Sequence, residues 1–96
     1  MGKAKPQDDE IRTWAFRKDH EIREASSGIH SEMAVYIIAD RSLNGEYGTP
    51  PDFKKMESEI NGVTKSIETA RGEEREKLYS VAWIRMTAML RQRWVS

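Results

Sequence analysis

The side chains able to do chemistry in this 96-residue chain are few: two histidines, no cysteine, and scattered serines and carboxylates. Without cysteine there is no thiolate zinc site, no thiol nucleophile and no disulfide framework. His20 and His30, ten residues apart on one helix, would stand about 15 Å from each other, too far to share a metal ion. His20 and Glu24 form an i, i+4 pair, which is a common surface feature. The inward Glu-x-x-His signature of di-iron bundles is missing. The serines lie in neither a Gly-x-Ser-x-Gly nor a Ser-x-x-Lys context, and no glycine-rich phosphate loop occurs. The acid clusters Asp8-Asp9-Glu10 and Glu73-Glu74-x-Glu76 fall at helix starts, where the helix dipole already explains them. The expectation is a non-enzyme with no metal and no cofactor.

A basic, aromatic C-terminal segment is the second candidate for chemistry. The last twelve residues hold Arg85, Arg91 and Arg93 with no acid, and Trp94 follows directly. Arginines neutralise phosphates and a tryptophan stacks on a base. Arg91 and Arg93, however, lie about 160° apart on a helical wheel, and cations at a helix C-terminus also suit the macrodipole. Over the whole chain 16 basic residues balance 16 acidic ones, with a pI near 6.7. That balance argues against a general nucleic-acid or membrane-surface binder. Nucleic-acid binding through Arg85, Arg91, Arg93 and Trp94 is therefore the alternative reading.

These residues must be positioned by helices. Residues 1–7 read as a flexible tail, and 8–96 as a single all-α domain. The start Met1-Gly2-Lys3-Ala4-Lys5-Pro6 leads into no apolar run, unlike a secretory signal. The longest apolar run, Met33 to Ala39, is far short of the roughly 20 residues a membrane span needs, so a cytoplasmic protein is expected. Ile11, Ala15, Ile22, Ala25, Ile29, Met33 and Tyr36 fall at steps of three, four and seven, interrupted by Lys18 and Asp40. Because the phase is kept across Ser26-Ser27-Gly28, one long helix over about 9–43, bent at most there, is favoured over a break that folds Ile11–Ala25 back as a fourth helix of a compact monomer. Met33–Ala39 also has strand character, but no second strand exists to pair with it.

Asn44-Gly45 and Gly48 signal a helix stop. Thr49, Pro50 and Asp52 then read as the start of a second helix over about 50–71. Its seam Phe53, Met56, Ile60, Val63, Ile67, Ala70 alternates steps of three and four, and Gly72 follows at the expected C′ position. A third helix over about 73–95 is apolar on two sides. Leu78, Tyr79, Ala82, Trp83, Met86, Met89, Leu90 and Trp94 spread over roughly 160°. Val81, Ile84, Ala88 and Val95 form a second, narrower sector. Such a helix is central or touches something besides its own domain. The methionines on these faces read as core filler.

A helix over 9–43 would be about 52 Å long, against about 30–35 Å for the other two. Its N-terminal half would then protrude from the helical hairpin, and an apolar arm of that kind docks on another chain. The expectation is a helical homodimer that binds a larger protein partner. It would inhibit or modulate that partner, for instance a transcription regulator, by occupying a surface needed for dimerisation or activity. Ile11, Trp14, Phe16, Ile22, Ile37, Ile38 and Tyr47 are the residues expected at the partner or dimer interface.

Overall fold

The computed structural model describes residues 6–95, with side chains from Asp8 to Arg91. It is all-helical, and no strand occurs among the described residues. The order is α1 (Pro6–Glu24), α2 (Ile29–Leu43), α3 (Phe53–Ser58), α4 (Ile60–Thr69) and α5 (Gly72–Val95). Of the expected tail, residues 1–5 lie outside the described part; α1 already begins at Pro6.

The expected long first helix is two helices. α1 ends in a Schellman motif: the Ser27 amide donates to the Ile22 carbonyl (3.0 Å) and the Ser26 amide to the Arg23 carbonyl (3.1 Å). Ser26 occupies the left-handed C′ position with φ 53°, and Gly28 follows with φ 103° and ψ 166°. That last combination is essentially restricted to glycine. The chain therefore reverses and lays α1 along α2. The longest molecular dimension is 39 Å, shorter than the about 52 Å of an unbroken helix, so no arm protrudes.

α2 is the hub: it packs against α1, α4 and α5, while these outer helices meet one another far less. Its centre, Met33-Ala34-Val35-Tyr36-Ile37-Ile38-Ala39, is buried without interruption. A helix surrounded on all sides is apolar all round, which is how a run with strand-like composition comes to be helical. The stop at Asn44-Gly45 is a second Schellman motif, with Gly45 at φ 89° and the Glu46 amide donating to the Arg41 carbonyl (3.1 Å).

The second predicted helix begins later and is interrupted. Asp52, not Thr49, is the cap: its Oδ1 accepts from the Lys55 amide at 3.1 Å, so α3 starts at Phe53. α3 and α4 abut at Glu59. The seam nevertheless faces inward, with Met56, Val63, Ile67 and Ala70 buried and Phe53 and Ile60 packed against them. α4 stops at Thr69 because Ala70 is extended, and Gly72 opens α5 rather than closing α4.

The reversal makes opposite demands on two neighbouring residues. A Cβ at Gly28 would meet no atom within 4 Å, so any cost of Gly28→Ala is a backbone cost. It is expected to destabilise the fold by about 1–2 kcal/mol. Ser26→Gly, which relieves a left-handed serine, is expected to stabilise it by up to about 1 kcal/mol. Urea denaturation of both variants checks the pair, and equal midpoints would remove this account of the turn.

Candidate interaction surface

Two places in the fold concentrate unusual chemistry: a polar cluster at the α1–α2 reversal and the outer face of α5. In the cluster, the Tyr36 hydroxyl donates to Asp19 Oδ2 at 2.7 Å, and both residues are buried. Arg23 Nε stands 3.3 Å from Asp19 Oδ1 and 2.9 Å from Glu32 Oε1, bridging the helices. Burial, and then the adjacent Asp19 carboxylate, raises the Glu32 carboxyl above its ordinary range, with Arg23 acting in the opposite sense. Burial and the Asp19 bond also push the Tyr36 hydroxyl up. Two carboxyls, a phenol and a guanidinium thus make a clamp, in which Asp19 Oδ1 is held by the Arg23 charge at 3.3 Å and by no hydrogen bond.

A raised Glu32 pKa means the folded chain holds this proton more tightly than the unfolded one. The stability so contributed is present below the ordinary glutamate range and is lost as pH rises through the raised value. Glu32→Gln is expected to flatten that segment of the pH–stability curve. Urea midpoints measured in steps from about pH 4 to 7 check it, and an unchanged slope would count against it.

The residues singled out from the sequence lie inside the chain's own core. Ile11, Trp14, Ile37, Ile38 and Tyr47 are buried, and Phe16 and Ile22 pack against them. Trp14 is 7% exposed and Ile38 not at all. Their assignment to a partner interface rested on an uncovered first helix, and the reversal at Gly28 supplies the cover. Tyr47 ties the 44–52 loop down: its hydroxyl donates to the Glu59 carboxylate. Burial, then that bond, pushes its pKa up to about 12.

The two charges that interrupt the apolar stripe both pair with another helix. Lys18 Nζ reaches Glu57 at 2.9 Å, and Glu57 holds the ammonium above its usual range. Asp40 Oδ1 accepts from Arg85 Nε at 3.1 Å and Nη2 at 2.8 Å. Arg85, a candidate phosphate contact, is thus engaged by a carboxylate, while Arg91 is exposed. The side chains of Arg93 and Trp94 lie outside the described residues. His30 Nε2 meets the Tyr79 hydroxyl at 2.8 Å. Among the described residues, no three His, Asp or Glu side chains come together to hold a metal ion, and no helix is long and apolar enough to cross a membrane.

What stands uncovered is the outer face of α5. Trp83 is 61% exposed and Ile84 67%, with Tyr79 and Val81 on the margins at 38% and 37%. From Leu78 to Leu90 the one charged residue is Arg85, and it is spent on Asp40. Ala82 and Met89 are buried on the opposite side, with Leu78 and Met86 packed against the core. The two-sided pattern of this helix was visible in the sequence, but Trp83 fell there in the wide sector with Leu78, Ala82, Met86 and Met89, which face the core. Apart from α5, Ile29 at the start of α2 is 53% exposed, and an open groove of about 530 Å³ between α1 and α3 is lined in part by Trp14 and Phe53. Its rim carries the Lys18–Glu57 pair and so favours neither charge.

Comparison with protein-family models, curated proteins and solved structures finds no match to this chain. The functional reading rests on the geometry alone.

Proposed function

We propose that this chain is a small helical regulator that acts in the cytoplasm by protein–protein interaction. It binds a larger partner and modulates it by covering a surface that the partner needs for its own dimerisation or activity. A helix-dimerising transcription regulator is one target that fits this mode. The observation that carries the reading is that Trp83 and Ile84, the two most exposed large apolar side chains among the described residues, stand side by side on one face of α5 that carries no charge between Glu76 and Arg91. Each forfeits on the order of 1–2 kcal/mol of burial by facing water, and tryptophan is enriched among residues that dominate interfaces. A rigid helix presenting such anchors suits a complementary helix or groove on the partner. The face proposed here is that of α5, in place of the first-helix residues expected from the sequence.

The test is affinity capture from native lysate with the wild type and the Trp83→Asp/Ile84→Asp double variant, with and without nuclease. Both positions are exposed, so circular dichroism of the variant is expected to match that of the wild type. One stoichiometric protein that survives nuclease and is lost by the variant is the expected result. The same proteins on both baits would end the assignment of this face. Material held only without nuclease would replace it by nucleic-acid binding.

A further inference from the structure

The exposed face of α5 has an internal symmetry that identifies one occupant. Glu76, Ser80, Trp83, Ile84, Thr87 and Arg91 are all exposed and fall within a sector of roughly 100° on the helical wheel. Their steps are four, three, one, three and four, which read the same in both directions. Their chemistry is complementary end to end: an acid, a small hydroxyl, two large apolar side chains, a second small hydroxyl and a base.

We propose that a second copy of this chain docks on this face, its α5 antiparallel to the first, with the two-fold axis passing between Trp83 and Ile84. This inference rests on the reading of the α5 face as an interaction surface and names one partner for it. In that arrangement Trp83 of each copy meets Ile84 of the other, and Ser80 meets Thr87. Glu76 meets Arg91 at both ends, giving two symmetric ion pairs. A two-fold interface requires a patch complementary to itself, and an arbitrary apolar stripe does not have charges of opposite sign at equal distances from its centre. Among the described residues neither Glu76 nor Arg91 has an ion-pair partner within the chain. The hydroxyls are small enough to let two helix backbones approach around the central pairs. A parallel arrangement would instead set Glu76 against Glu76 and Arg91 against Arg91.

The face runs about 22 Å from Glu76 to Arg91. One helix pair of that length sits at the low end of specific interface sizes, so the dimer is expected to dissociate reversibly at micromolar concentrations. A larger partner that binds the same face would compete with self-association, which makes the dimer a reserve form of the regulator.

The experiment is sedimentation equilibrium of the full chain over a concentration series, on the wild type, Glu76→Arg, Arg91→Glu, their double variant and Trp83→Asp. Each single reversal creates two like-charge contacts and is expected to weaken the dimer by roughly tenfold. The double variant restores opposite charges and is expected to return within about threefold of the wild type. An equimolar mixture of the two single variants is expected to associate as a heterodimer, because one then carries arginine and the other glutamate at both ends. Trp83→Asp is expected to be monomeric. A wild type that stays monomeric to about 0.5 mM overturns the proposal, as does a dimer indifferent to Trp83→Asp. A dimer broken by Trp83→Asp yet unmoved by the charge reversals overturns the antiparallel pairing. The capture experiment separates the two levels. A monomeric wild type whose captured protein is lost with Trp83→Asp/Ile84→Asp removes the second copy and leaves the interaction surface. A dimer that behaves as described while capture is unchanged removes the larger partner from this face.

Discussion

Everything in this fold depends on the reversal between Ala25 and Ile29 and on the polar clamp that holds its two arms. Once α1 turns back, Asp19 comes under Tyr36, and Arg23 spans from Asp19 to Glu32. A buried carboxylate is costly unless it is paired and hydrogen-bonded, and the phase in which α1 lies on α2 sets Asp19 Oδ2 on the Tyr36 hydroxyl and Oδ1 beside Arg23. That phase is the one that puts Ile11, Trp14 and Ala15 into the core. The clamp thus acts on the choice of packing as much as on its strength. Arg23 is mostly exposed, which lets water share the burden of its charge.

With α1 in place, α2 has one flank covered, and its uninterrupted apolar centre demands cover on the others. α4 and α5 provide it. The charged interruptions on α1 and α2 serve as pegs: Lys18 fastens α1 to α3 through Glu57, and Asp40 fastens α2 to α5 through Arg85. Because the outer helices are organised around α2 more than around each other, each needs only one inward face. α5 has 24 residues against 15 in α2, and no described residue of the chain covers its outer face at Trp83 and Ile84. The exposed Trp83 and Ile84 are therefore a consequence of the hub arrangement, and they supply the only argument about function that the geometry offers among the described residues.

What the sequence by itself determined was the local structure: the all-helical class, the inward seam Met56–Val63–Ile67–Ala70, the stop at Asn44-Gly45 and the two-sided character of the last helix. These follow from side-chain periodicity and from glycine's access to left-handed backbone, both of which act over a few residues. The break in the first helix was legible only as the less favoured alternative, because a serine, Ser26, fills the left-handed position normally signalled by glycine. The apolar stripe also keeps its phase across the break, since both arms of the hairpin face one shared core. Periodicity records which side chains want cover; it does not record what covers them. That was decided by the tertiary structure, which buried Ile11, Trp14, Ile37 and Ile38 against neighbours distant in sequence and left Trp83 and Ile84 outside. The reason is geometric: the cover of a helix face comes from long-range packing around α2, and no pattern within a single helix contains that packing.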